Sequence, residues 1–141
     1  MKHRSILLTA AAVCLFAAQS ARAADLKIIA NPGVGASSVS ADELKSVFLA
    51  TKTSLSDGSH VEPVLEKDGP THEAFLKEFV GKSDSALETY YRSLVFTGKA
   101  SMPKTTASDA DMVAYVAKTK GAIGYVSGAA NTAGVKTLEV K

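Results

Sequence analysis

Ser108-Asp109-Ala110-Asp111-Met112, running on to Tyr115-Val116 and then into Gly121-Ala122-Ile123-Gly124-Tyr125-Val126, is the stretch from which the fold can be read. Its first part opens with a serine suited to capping and places acid at the positive end of a helix, and Met112, Tyr115, Val116 and Thr119 then share one face. Its second part is a short apolar run with glycines at positions where a neighbour packs close, which reads as a strand. A helix handed straight to a buried strand is the repeating unit of a layered α/β domain.

The same grammar extends outward. Val135 to Val140 alternates as a last strand. Upstream, Ser83 to about Phe96 carries Leu87, Tyr90, Tyr91, Leu94 and Val95 at helical spacing, with Ser83 or Ser85 as cap and Gly98 as exit. One tyrosine of the pair must point off that stripe. Ser101 to Thr106, containing Met102 and Pro103, reads as a loop. Asp68-Gly69-Pro70-Thr71 leads into a helix whose buried stripe is Phe75, Leu76, Phe79 and Val80 and whose stop is Gly81. Val61 to Leu65 is a short strand; Pro63 cannot donate to a ladder, so the strand is expected at an edge or opening with Pro63. Ser40-Ala41-Asp42-Glu43 fits the capping box of a helix from about Ala41 to Ala50, and Leu26 to Ala30 is a first strand stopped by Asn31-Pro32-Gly33.

The N-terminus reads as an address label. Met1-Lys2-His3-Arg4 is basic, Ile6 to Ala18 is apolar, and Ala21-Arg22-Ala23 presents small residues for cleavage before Ala24. About 13 apolar residues span only roughly 20 Å, short of a roughly 30 Å hydrocarbon core, so a membrane anchor is disfavoured. Val13 before Cys14 is not the small residue that lipidation needs. Cleavage would remove Lys2, Arg4 and Arg22, taking the basic residues from 16 to 13 against 14 acidic ones and the net charge from +2 to −1. Nothing in the remaining chain then reads as a nucleic-acid or anionic-membrane surface. Cys14, the single cysteine, leaves as well, so a periplasmic mature domain would be held by packing alone. Residues 24–141 suit one domain with one core.

Catalytic signatures are scarce. Gly33-Val34-Gly35-Ala36-Ser37-Ser38 lacks the third glycine of a dinucleotide loop and no Gly-Lys-Ser/Thr follows, while Ser127 in Tyr125-Val126-Ser127-Gly128 is not in a nucleophile elbow. His60 and His72 each stand beside acids, yet two isolated histidines in polar loops lack the ligand count of a metal site and read as surface residues. Neither a cofactor nor enzyme activity is expected. More informative are the helix starts: Ser37, Ser38 and Ser40 before the first, Gly69 and Thr71 before the second, and Ser108 before the fourth. Free amides and a positive dipole end let such loops hold a small oxyanion if they converge, although ordinary capping explains each singly.

Asp42-Glu43-Leu44-Lys45-Ser46-Val47-Phe48-Leu49, Ser56-Asp57-Gly58, Val61 to Val64, Asp68-Gly69-Pro70-Thr71 with Phe75, and Gly121-Ala122-Ile123-Gly124-Tyr125-Val126 together resemble the phosphate-binding proteins of ABC importers, a branch of the type II periplasmic binding proteins. The resemblance implies a mixed sheet flanked by helices, like one lobe of that fold, with a site at helix N-termini facing a cleft. It implies a periplasmic solute-binding function for phosphate or another small oxyanion, in uptake or sensing, with a membrane permease as partner. The family has two lobes where this chain has length for one; a homodimer would restore the second wall. The family's arginine, two residues before Asp-Gly, is replaced by Glu66, and its Ser-Gly by Pro70 with Thr71. Gly69, Thr71 and His72 are what carries over as anion contacts, with Lys67 as a substitute cation. The alternative is an interaction or adaptor module that has lost its ligand.

Overall fold

The computed structural model describes residues 26–141, so the leader read at residues 1–23 lies outside the described residues. Six strands, β1 (Leu26–Ala30), β2 (Ser38–Val39), β3 (Glu62–Glu66), β4 (Lys104–Thr106), β5 (Ala122–Ser127) and β6 (Lys136–Val140), form one sheet in the order β2-β6-β1-β5-β3-β4. Four α-helices flank it: α1 (Ala41–Phe48), α2 (Pro70–Phe75), α3 (Asp84–Phe96) and α4 (Asp109–Lys118). A wider π-turn at Leu76–Val80 continues α2. The expected α/β mixed sheet flanked by helices is what forms.

Strand direction follows from the pairings. β1 runs antiparallel to both β5 and β6, while the β2–β6, β3–β5 and β3–β4 pairs are parallel. All strands except β1 therefore point the same way, and α1, α2 and α4 all begin just past the carboxyl ends of β2, β3 and β4.

The buried residues of the central strands face one of two cores. Ile28, Ile123 and Tyr125 point toward Leu44, Val47 and Phe48 of α1, Phe75 and Leu76, and Leu87 and Tyr91 of α3. Ile29, Val64, Ala122 and Val126 point the other way, onto Met112 and Val116 of α4. The period-two alternation of β1 and β5 thus builds both layers at once.

The capping box is present: Ser40 Oγ accepts from the Glu43 amide at 3.1 Å, and Glu43 accepts from the Ser40 amide at 3.2 Å. Ser83 and Ser108 cap α3 and α4, and Gly81 takes a left-handed φ of 73°. Tyr90 and Tyr91 are both engaged, donating to the carbonyls of Leu49 (2.6 Å) and Phe48 (2.5 Å) that the end of α1 leaves without helical partners.

Four expectations need correction. Ser38 and Val39, read as part of a helix-entry loop, form a strand on β6. Lys104–Thr106, read as loop, is an edge strand on β3. Pro63 consequently sits one strand in from the edge, tolerated because β4 pairs with β3 only from Val64 onward and demands no donor from Pro63. Val95, read as part of the buried stripe of α3, lies 43% exposed, next to Phe96 at 94%.

Gly124 has a packing reason. A Cβ built there would lie 2.5 Å from Met112 Sδ, in a fully buried contact between β5 and α4. Gly124→Ala is expected to cost about 1–3 kcal/mol in urea denaturation, since the buried Met112 side chain must shift to admit the methyl group. Addition of Met112→Ala should be less damaging in that background than in the wild type, which a double-mutant cycle reads directly.

Candidate functional site

The carboxyl edge of the sheet, where the helix starts gather, is the place to look for an anion site, and its width decides which starts can meet. β2 and β3 stand four steps apart in the strand order. At about 4.8 Å per step that is roughly 19 Å, too far for Ser37, Ser38 and Ser40 to share a small ligand with Gly69, Thr71 and His72. The first set is also committed locally: the Ser37 carbonyl accepts from the Glu139 amide at 3.0 Å, Ser38 pairs with Glu139, and the Ser40 hydroxyl is the α1 cap. On this spacing the three helix starts do not all meet at one small ligand. Two do come together, because β3 and β4 are neighbours and deliver α2 and α4 side by side.

At the start of α2, Gly69 adopts φ 101°, a conformation natural to glycine, and Pro70 follows in the first turn. Gly69 and Thr71 are half-buried there. His72 is not the surface residue or anion donor expected of it. It is 2% exposed, with Nδ1 2.5 Å from the Tyr125 hydroxyl and Nε2 2.8 Å from Asp84 Oδ1. The Tyr125 oxygen already accepts from the Glu66 amide at 2.9 Å, so its proton is directed to His72 Nδ1, leaving Nε2–H for Asp84. Burial pushes the Tyr125 hydroxyl well above the ordinary phenol range, keeping it a neutral donor. This chain of bonds ties α2, α3 and β5 together, and no solute reaches Tyr125, which is fully buried.

Between the starts of α2 and α4 lies Glu66, the last residue of β3, only 5% exposed. Burial first, then the hydrogen bond and charge of Asp109, raise its carboxyl to about 8. A carboxyl raised this far favours its neutral form at pH 7, with the Asp109 carboxylate as its neighbour, while Glu66 Oε1 and Thr106 Oγ1 are buried without a hydrogen-bond partner. For Asp109 itself burial pulls upward, but hydrogen bonds from Glu66 and Ser127 outweigh it and hold this carboxylate below its ordinary value. Ser127 Oγ donates to Asp109 Oδ2 at 2.7 Å. Thr106, opposite Glu66 in the parallel register, is buried beside it. The result is a proton-sharing acid pair with one net negative charge, in the position where an arriving anion would need donors. Lys67 is exposed, with its amide bound to the Thr106 carbonyl.

The roles of Tyr125, Asp109 and Ser127 were not legible in advance. Glu66 was, as an acid in the family's arginine position. Among the described residues, no group of three or more His, Cys, Asp or Glu side chains is arranged to hold a metal, and no helix is long and apolar enough to cross a membrane.

The chain has the fold of one lobe of the type II periplasmic substrate-binding proteins. Solved structures that share it include a protein from Clostridium perfringens assigned as a phosphate ABC transporter substrate-binding protein and solved with bound phosphate, at 16% identity and a TM-score of 0.63 over 83% of this chain and 45% of that one. They also include an ABC-type phosphate transport receptor from Vibrio cholerae, at 15% identity and a TM-score of 0.63 over 83% and 46%. PstS from Borrelia burgdorferi aligns at 12% identity and a TM-score of 0.54 over 84% and 47%. This chain thus spans a little under half the length of each. No family model matches the sequence, and no curated protein matches it.

Proposed function

We propose that this protein acts by binding rather than catalysis, as an exported interaction module built on the solute-binding fold, with the anion position closed from within. The observation that carries this reading is the Glu66–Asp109 pair. It occupies the meeting point of the α2 and α4 starts with a carboxyl and a carboxylate, where phosphate recognition calls for charged donors. An anion there would meet like charge. Export to the periplasm is supported by the leader pattern of residues 1–23.

The competing reading is a solute module for phosphate or another small oxyanion, serving ABC-type uptake or sensing with a membrane permease as partner. It has two supports: a fold neighbour solved with phosphate, and the adjacent starts of α2 and α4 with Gly69 and Thr71 half-open between them. It requires Glu66 to leave its place. A single open lobe also leaves the anion wet, so a second copy facing the same edge would be needed to match a two-lobed clamp.

Calorimetric titration of the protein with phosphate, sulfate and small carboxylates separates the two. The proposal expects no heat from phosphate or sulfate up to about millimolar concentration. Micromolar binding of phosphate that disappears in Thr71→Ala overturns it in favour of the solute module.

A further inference from the structure

We infer a binding site, at the opposite end of the sheet from the α2 and α4 starts, whose ligand is a small amphipathic carboxylate. A cavity of about 370 Å³ opens at the amino end of β3, bounded by the segment Lys99–Pro103 that leads into β4. That volume falls in the range of small-molecule sites. Its floor joins apolar side chains from both faces of the sheet at the open flank of β3, Val61 and Tyr91 from one and Val64 from the other, each at most 2% exposed, and Met102 stands at the rim, 51% exposed.

The charges around this floor have one dominant sign. Lys52, Lys99 and Lys104 line the cavity with His60, against a single acid, Glu62. Among the described residues none of these lysines makes an ion pair within 4.0 Å; the two such pairs are His72–Asp84 and Arg92–Glu88. Lys104 Nζ lies 5.6 Å from the centre of the Tyr115 ring, which holds the ammonium at the rim rather than out in solvent. An apolar body on the floor with a carboxylate among the lysines satisfies both halves of the cavity, and neither a bare anion nor a neutral hydrocarbon does.

The backbone argues against an added peptide strand as the occupant. β4 pairs with β3 from Val64 onward, leaving Glu62 and Pro63 with an open flank. Glu62 turns its amide to β5, donating to the Gly121 carbonyl at 2.8 Å, and Pro63 has no amide to offer. An incoming strand would find no donor there, so recognition falls to side chains. Neither Glu66 nor Asp109 lines this cavity, although the one beside Glu66 shares Tyr91, Met102 and Pro103 with it, and the inference does not depend on whether phosphate binds near Glu66.

The test is an NMR titration of the isotope-labelled protein with benzoate, run beside benzyl alcohol and inorganic phosphate. Benzoate is expected to shift the amides of Val61, Val64 and Lys104 saturably, with a dissociation constant on the order of 10⁻⁴ M. The double variant Lys99→Gln with Lys104→Gln should weaken binding about tenfold, and Glu62→Gln should tighten it. All three side chains are exposed, so an unchanged melting temperature verifies that each variant is folded. The inference is overturned if benzyl alcohol or phosphate binds this cavity as tightly as benzoate, if the lysine variant binds unchanged, or if no saturation is reached by about 10 mM.

Discussion

Glu66→Gln is expected to make the protein more stable in mild alkali and to flatten its stability between about pH 5 and pH 8.5. The sign follows from where the proton sits. An unfolded glutamate releases its proton near 4.5, whereas Glu66 in the fold holds it to about 8. The folded state therefore binds more protons than the unfolded state across that window. The wild type has the full contribution below about 4.5 and loses it progressively as pH rises toward 8, by an amount on the order of 4 kcal/mol at most. Asp109 does not mask the trend, since its depressed value makes it ionised in both states over the same range. Glutamine keeps a donor for Asp109 and has no proton to lose. Urea denaturation of both proteins at several pH values reads the effect; a wild type with no loss of stability over this window would mean that Glu66 is ionised in the fold and that the acid pair does not exist.

Tyr125→Phe is expected to cost about 2–5 kcal/mol, far more than one hydroxyl usually contributes. That oxygen accepts from the Glu66 amide and donates to His72 Nδ1, and both partners are buried. Phenylalanine keeps the stack on Phe75, whose ring centre is 3.8 Å away, so packing is preserved and two buried polar groups are orphaned. Tyr90→Phe is the matched comparison: it gives up a single bond to the Leu49 carbonyl from a half-buried site and should cost about 1 kcal/mol. Equal losses for the two variants, measured by denaturant midpoint at constant slope, would show that Tyr125 is not the junction described above.

The sequence reading went furthest where the determining contacts are local. The Ser40/Glu43 box, Pro70 at a first turn, Gly81 as a stop and the apolar stripe of Leu44, Val47 and Phe48 involve residues within a few positions of one another, and all form as read. It failed where a partner from far along the chain decides. Ser38–Val39 and Lys104–Thr106 are strands only because β6 and β3 present a free edge to them. His72 looked like a loop histidine until the fold placed it between residues 12 and 53 positions away in the chain.

The candidate site shows the same division in chemical terms. Glu66 could be seen in advance as an acid where the resembled family has arginine, because residue type is written in the chain. That it keeps its proton, that Asp109 and Ser127 stand beside it, and that the α1 start lies about 19 Å away could not be seen. Those facts depend on strand order, which is set by which apolar faces bury one another rather than by any local signal. Helix limits, turn chemistry and the sorting of β1 and β5 side chains onto two faces were thus determined by the sequence, because backbone sterics, capping and period-two alternation act over a few residues. The burial that protonates Glu66 and the junction at Tyr125 were decided by the tertiary structure alone, because desolvation and hydrogen-bond partnership exist only once distant segments have packed.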